Sequence, residues 1–228
     1  MSQNYIPITL KSLNDAQKAR RVKPFLRWVG GKQKLIAALL NHLPPEGSYE
    51  RYFEPFLGAG SLFLAQGFQN AVMNDLNFNL INAYRQIQSH PRQLHHLLSN
   101  HAKFLDIRGE RYYYAIREVY NARRILNEND EDACIKQAAR FLFLINSNYN
   151  GIFRVNRQGE FNAPFGKKPT TVHPLEHFIA VRDRLRGAQI LNRSFEELEP
   201  LIDAQSFVYL DPPYPLIEEK PAQDEKPG

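Results

Sequence analysis

A carboxylate, two prolines and an aromatic ring stand together at Asp211-Pro212-Pro213-Tyr214, directly after the apolar run 207–210. The run predicts a buried strand, which must end at the prolines because proline has no N–H to give a sheet. In an open α/β sheet, ligands bind outside the carboxyl ends of the strands, so a catalytic crevice is expected here. The group suits an exocyclic amine: Asp211 and a backbone carbonyl, most simply that of Pro212, would accept its two N–H groups and aim its lone pair at an electrophile. Tyr214 would stack on the ring, although an ordinary strand-ending turn also fits so short a pattern.

The composition predicts one ordinary domain, or a core domain with an insertion, in a reducing compartment. The chain has 228 residues, enough to bury a core without disulfides. Its single cysteine, Cys134, excludes an intramolecular bridge and a cysteine-based zinc site. The chain opens on polar and basic residues, and its longest fully apolar run, 141–145, is far too short for a membrane span. We therefore expect a cytoplasmic protein that does not enter a membrane.

The net charge of +5 is unevenly distributed along the chain. Basic residues are concentrated in 1–34 and 136–193, whereas the chain after Arg193 is acidic. Two basic segments that meet in space would form a nucleic-acid footprint, and a solvated mixed-charge surface is the alternative. Residues 1–23 lack apolar periodicity and predict a flexible basic arm, and residues 215–228, rich in proline and charge, predict a disordered tail.

A second group with chemical potential is the loop 25–32, Phe-Leu-Arg-Trp-Val-Gly-Gly-Lys, which precedes a helix-like run at 35–43. Paired glycines let a backbone approach a ligand closely, Lys32 could neutralise a carboxylate, and Trp28 offers its face to a ring or a sulfonium. The loop is not a P-loop, because the upstream glycine is missing and Gln33 replaces the metal-binding Ser/Thr. A tight turn before a helix is the alternative.

A strand, a glycine turn and a helix start follow, with Gly58 and Gly60 in the turn. Such a turn places backbone donors beside a ligand, but Phe63 replaces the third glycine of the dinucleotide fingerprint, which disfavours nicotinamide or flavin. Asp75 ends the next strand candidate, 71–74, at the distance expected of an acid that holds ribose hydroxyls. Together these features predict a nucleoside-bearing ligand.

Helical patterns then run through 77–88, 91–104, 112–126 and 133–145. Two short runs around a glycine turn at 152–162 predict a β-hairpin, with Arg154 and Asn156 on one face. Arginine and asparagine suit guanine and adenine edges in a major groove, which admits a β-ribbon, and Lys167 and Lys168 would reach phosphates. A helix near 175–186, a strand at 189–192 and a helix at 195–202 lead back to Asp211.

The motifs at 25–32, 53–61 and 211–214, in this order, closely resemble the Dam-type, class D12 N6-adenine DNA methyltransferases, which use S-adenosyl-L-methionine. Residues 149–151 and 159–166 look like that family's recognition hairpin. The resemblance implies an α/β fold: a Rossmann-like S-adenosylmethionine-dependent methyltransferase sheet, discontinuous over 24–79 and 172–214, with an inserted helical and β-hairpin target-recognition domain at 80–171.

The resemblance also implies site residues, position by position. The methyl-donor pocket would be lined by Trp28, Lys32, Glu54, Phe56, Gly58, Gly60, Asp75 and Asp211, with Ser194 and Phe195 near the adenine ring of the donor. Double-stranded DNA would meet Arg27, Tyr149, Arg154, Asn156, Lys167 and Lys168. The target adenine would be flipped out of the duplex, as methyltransferases require in general. No metal is called for, a GATC-like target is the guess, and a place in restriction-modification is expected.

Three alternatives stay open: a cytosine-N4 DNA methyltransferase, a methyltransferase for protein glutamine or RNA amino groups, and a truncated, non-catalytic binder of DNA or donor. Asp rather than Ser at 211 argues against the first. The segment 165–169 is shorter than in well-known family members and lacks a tyrosine, and the chain stops soon after Tyr214, so the C-terminal strands of the sheet would be missing. We then expect 207–210 to be an exposed apolar edge and the chain to methylate poorly unless a partner chain covers that edge.

Overall fold

The computed structural model describes residues 21–123, 127–167, 170 and 172–213. The predicted arm up to residue 20, Lys168, Tyr214 and the predicted tail lie outside these residues.

Four parallel strands form the centre of the described chain: β1 (Arg51–Glu54), β2 (Ala71–Asn74), β3 (Gln189–Leu191) and β4 (Ser206–Val208), in the order β3-β2-β1-β4. Phe53 pairs with Val72 on one side and with Val208 on the other, so the carboxyl ends of β1, β2 and β4 lie at one edge of the sheet. The α/β class and the parallel sheet are therefore confirmed.

β4 begins and ends earlier than the predicted strand 207–210. It is half-buried and, within the described residues, pairs only with β1. The chain stays beside β1 for one more residue, because the Tyr209 N–H donates to the Phe53 carbonyl over 2.9 Å. Whether another chain covers the outer side of β4 stays a prediction.

Four helices accompany the sheet: α1 (Ile36–Asn41), α2 (Ser61–Gln66), α3 (Phe78–Ser89) and α7 (Leu175–Leu185). α3 begins where the Asn77 side chain accepts the Leu80 N–H over 3.2 Å, which satisfies one of the free amides of its first turn. The predicted helix 195–202 is instead a 3₁₀ helix, Phe195–Leu201. Pro200 lies inside it and has no N–H to give an α-helical bond.

The segment between α3 and α7 is mostly helical: α4 (Pro91–Arg108), α5 (Glu110–Ala122), α6 (Glu131–Ser147) and a 3₁₀ turn, Tyr149–Gly151. α6 packs against α3, α4 and α5, and eleven of its 17 residues are buried, as expected of a helix at the centre of a core. Its buried residues join the same apolar cluster as those of β1 and β2. The helices between α3 and α7 thus share one apolar core with the sheet.

The predicted β-hairpin at 152–162 is a reversal of chain direction without regular strands. One antiparallel bridge, Val155 to Phe161, joins its arms, with Asn162 N–H to Arg154 O (3.0 Å) and Asn156 N–H to Glu160 O (2.8 Å) beside it. The backbone of Phe161 bonds instead to the Asn121 side chain of α5. The Phe161 N–H donates to Asn121 Oδ1 over 2.9 Å, and Asn121 Nδ2 donates to the Phe161 carbonyl over 3.0 Å. These contacts with α5 replace a longer ladder.

Candidate active site

A cavity of about 600 Å³ opens at the carboxyl edge of β1, β2 and β4. The predicted residues that line it are Trp28, Lys32, Glu54, Phe56, Gly58, Asp75, Asp211, Pro212 and Pro213. Each carboxyl comes from a chain segment that leaves a strand: Glu54 ends β1, Asp75 follows β2 and Asp211 follows β4. The parallel register therefore explains why acids distant in sequence share one cavity.

Asp211 forms an ion pair with Lys32, whose Nζ lies 2.7 Å from Oδ2. The same Nζ donates to the carbonyl of Gly30 over 2.9 Å, so the lysine is held by its own glycine loop. Both side chains are largely shielded from water, at 19% and 23% exposure. The Asp211 carboxylate thus has its counter-charge within the protein, on Lys32.

Glu54 is almost entirely buried, with 2% of its surface exposed. Its Oε2 accepts the hydroxyl of Tyr52 over 2.8 Å, and the backbone N–H of Phe63 also donates to the carboxyl. Burial outweighs both hydrogen bonds, and with the nearby charge of Asp211 it raises the pKa of Glu54 to about 8.

Asp75 is held by two backbone N–H groups at the carboxyl edge of the sheet. Its Oδ2 accepts the N–H of Gly58 over 3.0 Å, and its Oδ1 accepts the N–H of Asn77 over 2.9 Å. Burial raises its pKa, and both bonds oppose that rise. Since each carboxylate oxygen has a second lone pair, Asp75 can still accept hydroxyl groups from a ligand.

One wall of the cavity was not predicted from the sequence. Phe153, from the reversal at 152–162, also lines the cavity, and its ring stacks on Trp28 with centroids 5.6 Å apart and planes at 21°. No local pattern marks Phe153, because it stands among residues that look like an ordinary strand. Gly58 is needed beneath this stack, since its φ is +48° and a Cβ there would lie 3.1 Å from Trp28 Cδ1.

Three predicted donor-site residues are not among those that line the cavity. Gly60 lies in the glycine turn, and a Cβ there would point at the Tyr84 hydroxyl. Ser194 caps the 3₁₀ helix, with its N–H bonded to Glu197 Oε1 over 3.0 Å. Phe195 is half exposed, and its ring lies 5.3 Å from that of Phe56, so it reaches the cavity only through a lining residue.

A groove of about 1090 Å³ adjoins the cavity and shares Trp28 and Gly31 with it. Arg27 and Tyr149, both predicted to contact DNA, line this groove together with Lys23, Asn146, Asn150 and His173. Both basic sequence segments therefore contribute to one groove beside the cavity, but its lysine and arginine side chains, Lys23 and Arg27, come from the first segment.

Three other predicted DNA contacts, Arg154, Asn156 and Lys167, are not among the residues that line this groove. Arg154 is exposed and donates to Asn162, from Nε to Oδ1 over 2.8 Å and from Nη2 to the carbonyl over 3.0 Å. Asn156 closes its own turn, because its Oδ1 accepts the N–H groups of Gln158 and Glu160. Lys167 is exposed. Base reading by these residues stays a prediction.

Between residues 21 and 213, leaving aside the gaps, no helix is long and apolar enough to cross a membrane. In the same parts, no three His, Cys, Asp or Glu side chains converge to hold a metal ion.

Comparison with known proteins identifies the family. The chain is 36% identical over 205 residues to the type II methyltransferase M.MjaIII of Methanocaldococcus jannaschii, which covers 85% of this chain and 69% of that protein. It is 36% identical over 211 residues to M1.LlaDCHI of Lactococcus lactis (90% and 71%), and 30% identical over 199 residues to a DNA adenine methylase of Vibrio cholerae (86% and 66%). The family model of the D12 class N6 adenine-specific DNA methyltransferases matches residues 28–224. This match and the two relatives at 36% identity confirm that the chain belongs to the D12 class of N6 adenine-specific DNA methyltransferases.

Proposed function

We propose that this chain transfers a methyl group from S-adenosyl-L-methionine to N6 of an adenine that has been flipped out of duplex DNA, within a GATC-like target. The observation that carries the proposal is Asp211, held by Lys32 in a cavity at the carboxyl ends of three strands. Family membership supports the adenine, and the methyltransferases of this family use this donor.

The cavity has the size and lining that such a donor needs. About 600 Å³ with aromatic walls and a few polar groups suits a nucleoside joined to an amino acid. Asp75 would hold the ribose hydroxyls, Lys32 the methionine carboxylate, and the Trp28 face the cationic sulfur. The donor supplies a methyl group bonded to a positively charged sulfur.

Asp211 would act on the adenine. The N6 lone pair of adenine is delocalised into the ring, so the amine is a poor nucleophile. By accepting one N–H, with a carbonyl of the Pro212 segment accepting the other, Asp211 would hold the nitrogen closer to tetrahedral and stabilise the positive charge that develops on it. Pro212 and Pro213 are exposed at the mouth of the cavity, where a flipped base would enter.

The groove would place the DNA. Arg27 and Lys23 are suited to phosphates, and such contacts position a duplex without reading its sequence. The groove shares a wall with the cavity, so a nucleotide leaving the duplex would have a short path to Asp211.

Transfer of tritium from labelled donor to unmethylated duplex DNA, followed by nucleoside analysis, tests the proposal. We expect label in N6-methyladenine, and a loss of at least about 100-fold in turnover for Asp211→Asn, as when one preorganised electrostatic partner of a transition state is removed. Asp106→Asn, the same change at an exposed site on α4, should leave turnover unchanged. Label in N4-methylcytosine, in RNA or in protein, or full turnover of the Asp211 variant, would contradict the assignment.

A further inference from the structure

The three carboxyl groups that line the cavity are not equivalent in charge. Asp211 is paired with Lys32 at 2.7 Å, and Asp75 is bonded to the N–H groups of Gly58 and Asn77. Glu54 is the most deeply buried of the three, and among the described residues no lysine, arginine or histidine pairs with it. Within the described chain, Glu54 and Asp75 therefore both lack a cationic partner, and Glu54 is the more deeply buried of the two.

The groups around Glu54 act in opposite directions on its pKa. On its own strand the Tyr52 hydroxyl donates to it, and from α2 the Phe63 N–H does the same, and both favour the anion. Burial favours the neutral acid, as does Asp211 from the segment after β4, while Tyr84 of α3 lies close enough to sense its charge. Burial dominates and raises the pKa of Glu54 to about 8, so the empty site holds it largely protonated at neutral pH.

We propose that Glu54 makes this cavity select the positively charged methyl donor over its neutral demethylated product, by ionising when a sulfonium binds and remaining protonated beside a thioether. This inference rests on the proposed function, because it assumes that the cavity holds the donor. A cation beside a buried carboxyl supplies the missing counter-charge, and two hydrogen bonds already in place stabilise the resulting anion. The thioether supplies no charge, so the demethylated product gains nothing from Glu54 and leaves more readily.

Calorimetric titration of the protein with S-adenosyl-L-methionine and with S-adenosyl-L-homocysteine, between about pH 6 and pH 9, tests the inference through proton linkage. The two ligands share their nucleoside and amino acid parts, so titration of those parts cancels in the ratio of the two affinities. We expect the ratio of donor affinity to product affinity to rise with pH, by at most about tenfold per pH unit. It should level off near the pKa that Glu54 has in the unliganded protein. In buffers of different ionisation enthalpy, donor binding near neutral pH should release more protons than product binding.

Variants assign the effect to one carboxyl. Glu54→Gln keeps the shape of the side chain without the charge, so at about pH 8.5 it should lower donor affinity by roughly tenfold, change product affinity by less than about twofold, and abolish the pH dependence of the ratio. Glu50→Gln, the same change at an exposed site just before β1, should alter neither ligand. Asp75→Asn should weaken both ligands alike, since both carry the ribose.

The outcomes separate this inference from the proposed function. If neither ligand binds the unmodified protein, the donor site itself is wrong. If both bind with the same pH dependence and the same proton release, the donor site stands and the role of Glu54 is refuted. That second result needs no variant, so a variant that fails to fold leaves the test intact.

Discussion

Replacing Gly60 with alanine would put a methyl group where the turn between β1 and α2 has no room for one. Gly60 has φ +58° and ψ 33°, a left-handed conformation that costs other residues about 1–2 kcal/mol. A Cβ at this position would also lie 2.7 Å from the Tyr84 hydroxyl and 3.2 Å from Leu57 Cδ1. Overpacking of this kind costs about 1–3 kcal/mol, so we expect Gly60→Ala to lower the free energy of unfolding by roughly 3 kcal/mol in total.

Urea unfolding of the unmodified protein and four variants separates the two contributions. Gly47→Ala is the control for the backbone alone, because Gly47 has φ +85° and open space around its Cβ position, and it should cost only about 1–2 kcal/mol. Tyr84→Phe removes the hydroxyl that the new methyl group would strike, together with its 3.3 Å hydrogen bond to the Gly58 carbonyl, a loss of about 1 kcal/mol. The loss of unfolding free energy in the double variant Gly60→Ala/Tyr84→Phe should be smaller than the sum of the losses in the two single variants, by at least about 1 kcal/mol. The reasoning fails if Gly60→Ala costs no more than Gly47→Ala, or if the two losses are additive.

Three other expectations concern the segment between α3 and α7. Arg154→Ala should relax the preference for one base pair by about 1–3 kcal/mol, whereas Lys167→Ala should weaken binding to every sequence alike; equal losses across target variants in competition binding would remove Arg154 as a reader. Asn156→Ala should speed amide hydrogen exchange in its turn by roughly tenfold, because two backbone N–H groups lose their acceptor, and unchanged exchange would refute that role. Burial lowers the pKa of His101 from 6.5 to about 4, so its contribution of up to about 3 kcal/mol is present above pH 6.5 and is lost as the pH falls toward 4. His101→Gln should flatten that acid limb in denaturant titrations, while the exposed control His96→Gln should not.

The sequence predicted those parts of the site that depend on local patterns. The apolar runs that end at Asp75 and near Asp211 are strands because their residues favour strands, and parallel strands bring their carboxyl ends together. Lys32, from the loop before α1, reaches Asp211 at this edge, although the two residues are far apart in sequence.

The remaining features depend on contacts that no short stretch of sequence contains. Phe153 meets Trp28 only because the segment around residue 153 packs against the loop that precedes α1. Asn74 links the loops after β1 and β3 by donating to the carbonyls of Pro55 and Arg193 and accepting the Arg193 N–H, yet in sequence it is merely the last residue of β2. The pattern showed the face on which Asn156 lies but not the turn that its side chain closes, and base reading by Asn156 stays a prediction.

The stack of Trp28 on Phe153 has a practical consequence, because Trp28 is the only tryptophan of the chain. All of the indole fluorescence of the protein therefore comes from one ring that borders both the cavity and the groove. Its emission is an intrinsic optical signal for events on either side of that ring. Binding in the cavity and docking in the groove could each be followed by stopped-flow mixing on the unlabelled protein, and the order of the two steps read directly from the time course.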